Sequence, residues 1–158
     1  MYVPSFLILQ KITLTVNRYA IHAANPDGSP GQLMAMAQQK RLAFKERVTF
    51  FADEGRTRPV FSFGARQVMD LNAGYDVWDE YNQQIGYFKK EFGASLLRST
   101  FKVEGPGFQG QGSERNAAVA LIRRVIDLPF VPIHFDYADV NGAPLFSIER
   151  QMSVRDRY

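Results

Sequence analysis

The chain has no cysteine among its 158 residues. A disulfide framework, a Cys-x-x-Cys zinc site and a thiol nucleophile are thereby excluded, and a reducing cytoplasm is the expected setting. Histidine is almost as scarce. His22 and His134 stand far apart, with no His-x-x-x-His or carboxylate-bracketed spacing around either, so no metal centre is expected. No window approaches the roughly 18 apolar residues that a membrane-spanning helix needs. The apolar opening from Tyr2 to Leu9 lacks a basic leader region and a small-residue cleavage site, and it reads as a first strand. Neither sign of charge dominates: 19 Lys and Arg against 16 Asp and Glu give +3, spread over both halves. The pI near 9.3 is therefore weak ground for nucleic-acid binding.

The motifs of common catalysts are missing too. There is no Gly-x-Ser-x-Gly elbow, Walker loop or Gly-x-Gly-x-x-Gly. Gly105, Pro106, Gly107, Gly110 and Gly112 lack the Lys-Ser/Thr of a phosphate loop and read as a flexible connection. Asp76, Asp79 and Glu80 surround Trp78, but strand alternation separates Asp76 from Asp79, and all three read as solvated charges rather than an acid-base pair. His134, Asp136 and Asp139 faintly resemble part of a calcium loop, without its closing Glu; Asp with Asn141-Gly142 instead reads as a hairpin turn. No catalytic residue, metal or cofactor is expected, and the chain reads as a non-enzyme.

What is present is an alternating repeat. Tyr19-Ala20-Ile21, Val48-Thr49-Phe50, Tyr75-Asp76-Val77, Phe101-Lys102-Val103 and Phe135-Asp136-Tyr137 start 29, 27, 26 and 34 residues apart. Successive side chains of a strand point to opposite faces, so each triplet reads as a strand. Turn chemistry follows at Asn25-Pro26-Asp27-Gly28, Glu54-Gly55, Tyr81-Asn82-Gln83 and Asn141-Gly142, and return strands are expected at 33–38, 59–65, 84–91 and 144–151. Pro59-Val60-Phe61-Ser62-Phe63 and Pro144-Leu145-Phe146-Ser147-Ile148 nearly repeat each other, which favours a repeated hairpin unit. The expected core is Phe50, Phe61, Phe63, Val77, Phe88, Val103, Phe146 and Ile148.

The long last interval holds one expected helix. Ser113 is a good N-cap, Glu114 suits a positive helix end, and Ala117, Ala118, Leu121, Ile122 and Val125 share a helical face, so an amphipathic helix is expected over about 114–126. About ten strands with apolar faces should curl or close into an antiparallel barrel. Such a barrel is wider than its own side chains fill, and an apolar filling is not evident in the chain.

Three segments carry a family resemblance. Gln84-Ile85-Gly86-Tyr87-Phe88-Lys89-Lys90-Glu91-Phe92-Gly93-Ala94, Ser99-Thr100-Phe101-Lys102-Val103 and Phe146-Ser147-Ile148-Glu149-Arg150 with Ser153 to Tyr158 resemble the tubby C-terminal-like superfamily. Within it they are most similar to bacterial phospholipid-scramblase-like and LURP-one-related proteins, and Leu9 to Leu14 is similar to that family's first strand. The resemblance covers the chain as a single domain, 1–158, and implies a tubby-like antiparallel barrel of 10–12 strands around a hydrophobic C-terminal helix. The sequence stops after Arg157-Tyr158, where the family continues, so a C-terminally incomplete domain is expected. Its centre would then be filled by that missing helix, a lipid chain or a partner's segment.

Lys40, Arg41, Lys45 and Arg47 are the expected binding surface, four positive charges offset by Glu46 alone. Near an anionic leaflet each exposed basic residue adds on the order of 1 kcal/mol of attraction. Phosphoinositide binding by basic residues is what the eukaryotic tubby relatives imply. The leading expectation is a non-enzymatic lipid-binding or scramblase-like module, peripheral at the inner face of the membrane. The alternatives are a structural or protein-interaction barrel and, on the pI alone, a nucleic-acid binder. Replacing all four basic residues with Gln is expected to weaken vesicle binding and leave folding intact.

Overall fold

The computed structural model describes residues 5–12, 15–40, 47–66, 74–91, 100–115 and 134–150. Eleven strands run in chain order: β1 (Phe6–Ile12), β2 (Val16–Ala24), β3 (Pro30–Lys40), β4 (Val48–Phe51), β5 (Pro59–Ala65), β6 (Tyr75–Asp79), β7 (Gln84–Glu91), β8 (Thr100–Gly105), β9 (Phe108–Glu114), β10 (His134–Asp139) and β11 (Pro144–Glu149). Their order in the sheet is their order in the chain, and the sheet is antiparallel. The chain is thus mainly β, with the expected number of strands. Among the described residues there is no helix.

Two compact units divide the chain. The first comprises the described residues up to Ala65 together with Val77–Gln84; the second comprises Arg66, Gly74, Tyr75, Asp76 and the described residues from Ile85 onward.

In the first unit, Ala35 and Ala37 of β3 pack with Val48 and Phe50 of β4, none more than 6% exposed. Small side chains on β3 leave room for the aromatic rings of their neighbours. Tyr19, Ile21, Val60, Phe61 and Phe63 pack around them. Register aligns this cluster, since Tyr19 stands opposite Ala37, Ile21 opposite Ala35 and Phe50 opposite Phe61. The Phe50 and Phe61 rings stack at 4.5 Å, a directly opposed aromatic pair of the kind that stabilises a two-strand ladder.

The second unit repeats that device. Tyr137 stands opposite Phe146, their rings stacked at 4.4 Å, so the two similar Pro-x-Phe segments place Phe61 and Phe146 in like roles. Their burial differs. Phe146 and Ile148, both expected in the core, are 41% and 49% exposed on the last strand of the sheet, which among the described strands pairs with β10 alone.

Two expectations need correction. Residues 105–112 are not a flexible connection: Gly105–Phe108 turns a hairpin, with Gly107 at φ 78°, and β9 pairs with β8 from Phe108 to Ser113. The glycines serve packing there, since a Cβ at Gly112 would meet the Tyr137 ring and one at Gly110 the Ala138 carbonyl. The helix does not begin at 114. Ser113 and Glu114 are strand residues paired with Asp136 and Phe135, and Glu114 is 2% exposed. The ladder with β8 and β10 overrides the local capping signal. The rest of the expected helix, 116–126, lies outside the described residues.

Candidate functional site

The expected basic surface is only partly described. Lys40 ends β3 opposite Val16, while Arg41 and Lys45 lie outside the described residues. Arg47 is not a free surface charge. Its Nε donates to Ser62 Oγ at 2.8 Å, and its guanidinium lies 4.2 Å from the centroid of the Trp78 ring. Ser62 is 3% exposed, so this hydrogen bond ties a charged group to a buried hydroxyl. Gly64 lies beside this stack, where a Cβ would make ordinary van der Waals contact with both Arg47 and Trp78. The cation-π contact fixes the orientation of the Arg47 guanidinium.

The apolar face of the same unit runs out uncovered. Across β1 and β2, Phe6 stands opposite Ala23, Ile8 opposite Ile21 and Gln10 opposite Tyr19, so these β1 side chains share the face of the core cluster. Gln10 marks that face by donating from Nε2 to Tyr19 Oη at 3.4 Å. Phe6 and Ile8 are nevertheless 55% and 59% exposed, because β1 is the first strand of the sheet.

The second unit holds two arginine-carboxylate grips. Arg66, just after β5, donates from Nε and Nη2 to Asp76, with a shortest contact of 2.7 Å, and its guanidinium lies over the Tyr87 ring at 4.3 Å. Arg115, just after β9, donates to both oxygens of Asp136 at 2.7 Å and reaches Glu149 at 3.5 Å. That grip, with Arg115 donating, holds the Asp136 carboxyl below its ordinary value. His134 Nδ1 lies 3.6 Å from Glu149 Oε1, an ion pair only when the imidazole is protonated. Asp76 is therefore not a solvated charge: its side chain is 12% exposed and clamped.

Both grips escape a search for catalytic motifs because their partners are distant in sequence. The available signal is the repeated spacing Asp76-x-x-Asp79-x-x-Asn82 and Asp136-x-x-Asp139-x-x-Gly142. In each repeat the second Asp caps the hairpin turn. Asp79 Oδ1 accepts from the amides of Tyr81 and Gln83, and Asp139 Oδ1 from those of Asn141 and Ala143. Each arginine spends its fork on a carboxylate of its own chain, which makes both grips structural clamps.

Among the described residues, no three His, Asp or Glu side chains group to hold a metal ion, and no helix is long and apolar enough to cross a membrane. Comparison of the chain with protein-family models, curated proteins and solved structures finds no match.

Proposed function

We propose that the chain is a non-enzymatic, membrane-peripheral lipid-binding module, the role that its resemblance to the tubby-like and scramblase-like proteins implies. One observation carries this reading. The apolar face built around Phe50, Ala35 and Ala37 continues through Tyr19 and Ile21 to Phe6 and Ile8, which remain more than half exposed. Fully burying a side chain of this size contributes roughly 1.5 to 3 kcal/mol. An apolar partner is the expected cover, and the same unit supplies Lys40 and Arg47 as positive charge. Lipid chains with an anionic headgroup answer both features, and a polybasic segment strengthens a contact that apolar insertion alone leaves marginal.

The test is flotation with vesicles containing anionic lipid and with neutral ones. Arg47 is better left intact, because its loss would also strip Ser62 and Trp78 of a partner. The informative variants are therefore the triple substitution Lys40→Gln, Arg41→Gln, Lys45→Gln and the double substitution Phe6→Ser, Ile8→Ser. Weaker flotation in both, with the circular dichroism spectrum unchanged, supports the reading. Unchanged flotation in both overturns it.

A second reading, a protein-interaction module, is favoured by β11, where Phe146 and Ile148 stand exposed on the last strand. Self-association abolished by Phe146→Ser with Ile148→Ser would favour it over the lipid reading.

A further inference from the structure

Five described residues adopt the left-handed backbone conformation, and four of them are the types that physics prefers there. Gly28, Gly107 and Gly142 have φ of 77°, 78° and 84°, and Asn82 has 64°. The fifth is Arg56, at φ 57°. A side chain in this region is strained, and glycine avoids that strain. Gly55 is the preceding residue, so the turn already carries a glycine beside the strained position. The turn itself is tightly tied: Arg56 N–H donates to Asp53 O, and the Asp53 carboxylate accepts from the amides of Thr57 and Arg58. The turn's geometry thus calls for no side chain at 56, yet an arginine stands there.

That arginine lines a cleft of about 260 Å³, together with Arg18, Met36, Ala37, Gln38 and Glu54. Arg18 of β2 stands opposite Gln38 of β3, and Met36 shares their face two residues along. Arg66, Arg115 and Arg47 are each held by a carboxylate or a hydroxyl. Among the described residues, by contrast, no side-chain hydrogen bond or ion pair engages Arg18, Arg56 or Glu54. The cleft therefore presents two open guanidinium forks, one carboxylate and one amide beside the apolar Met36 side chain. Guanidinium forks match the planar oxygens of carboxylates and phosphates, and Glu54 offers acceptors for an ammonium.

We propose that this cleft binds a small zwitterion with two acidic groups and one ammonium, its acidic groups at Arg18 and Arg56 and its ammonium at Glu54. This is the charge pattern of an acidic α-amino acid and of its phosphate-bearing counterpart, O-phosphoserine, either free or as a lipid headgroup. The proposal goes beyond the lipid reading, since binding of a soluble zwitterion needs no membrane.

The test is calorimetric titration of the full chain with L-glutamate and with O-phospho-L-serine. At least one is expected to bind, and Arg56→Gly is expected to weaken it at least tenfold while leaving the melting temperature unchanged or higher. Glutarate, which lacks the ammonium, should bind more weakly than L-glutamate, and Glu54→Gln should narrow that gap. Arg18→Gln gives a second, independent loss of affinity. Vesicles of phosphatidylserine against vesicles of equal phosphatidylglycerol charge then separate the sources. A serine-headgroup preference lost in Arg56→Gly assigns the lipid, and soluble binding without that preference assigns a free ligand. Failure of both soluble probes to bind overturns the proposal, as does affinity unchanged in Arg56→Gly, whatever the flotation result.

Discussion

Arg115 holds Asp136 through two parallel hydrogen bonds, Nε to Oδ2 and Nη2 to Oδ1, each 2.7 Å. Arg66 holds Asp76 by the same fork, and in both cases the arginine directly follows a strand whose chain returns as the strand bearing the aspartate. The backbone is joined at the same place, Arg66 N–H to Gly74 O and Arg115 N–H to His134 O, both 2.9 Å. A repeated local device pins the return of the chain after β5 and after β9.

The two grips differ in burial, and their energetic weight should differ with it. The Asp76 side chain is 12% exposed and that of Asp136 is 51% exposed. Removing one partner of a shielded pair leaves a charge without solvent, whereas exposed pairs contribute little. Arg66→Gln should therefore lower the melting temperature clearly more than Arg115→Gln at pH 7. Raising salt should weaken the Arg115 contribution and leave that of Arg66 nearly intact. Equal losses in thermal denaturation would refute this ranking.

Phe50 and Phe146 offer a parallel contrast between two stacked aromatic pairs. Phe50 is 6% exposed in the core of the first unit, and Phe50→Ala should cost about 3 to 5 kcal/mol in urea unfolding. Phe146 is 41% exposed, and Phe146→Ala should cost about 1 kcal/mol, the scale of the ring contact alone.

Gly112 faces Tyr137 across the β9–β10 ladder, under a ring that also stacks on Phe146. Burial of that ring pushes the Tyr137 hydroxyl above its ordinary value. A methyl group at position 112 would have to displace it, so Gly112→Ala should destabilise by about 1 to 3 kcal/mol. Gly107→Ala meets no neighbour, and its cost is confined to the positive φ. Comparing the two variants separates packing from backbone strain.

Alternation and turn chemistry made most of the sheet legible. β5 and β7 occupy the spans expected from the sequence, and β10 and β11 follow from Phe135-Asp136-Tyr137 and Asn141-Gly142. β9 was hidden because Gly110 and Gly112 carry no β-branched or aromatic signal; the strand relies on Tyr137 covering its glycines. Ser113 and Glu114 misled in the opposite direction, since a capping pattern is local and the ladder that recruits them is not. The cleft was invisible for a related reason. Arg18 and Arg56 come to line one cleft through strand register and one left-handed turn, neither of which appears in residue spacing.

Acid sensitivity should follow from the turns. Hydrogen bonds from turn amides lower the carboxyls of Asp53 and Asp139, and those from Ser29 lower that of Asp27, all below the ordinary 3.8. A carboxyl with a depressed folded value contributes stability above its unfolded value and loses it as pH falls through the folded one. Stability should therefore hold near neutrality and decline as pH drops below about 4. The two kinds of turn should respond differently to neutralisation. Asp139 accepts both amides, at 2.8 Å each, on Oδ1 alone, and an asparagine carbonyl can replace that oxygen. Asp53 divides its work, Oδ1 taking Thr57 N–H and Oγ1–H while Oδ2 takes Arg58 N–H. An asparagine in place of Asp53 would set an NH2 group against one of these donors. Thermal melts at pH 7 and pH 3 should show Asp139→Asn close to the parent at neutrality with a smaller acid loss, and Asp53→Asn already weakened at pH 7. Identical behaviour of the two variants would show that the division of acceptors in the Asp53 turn does not matter to its stability.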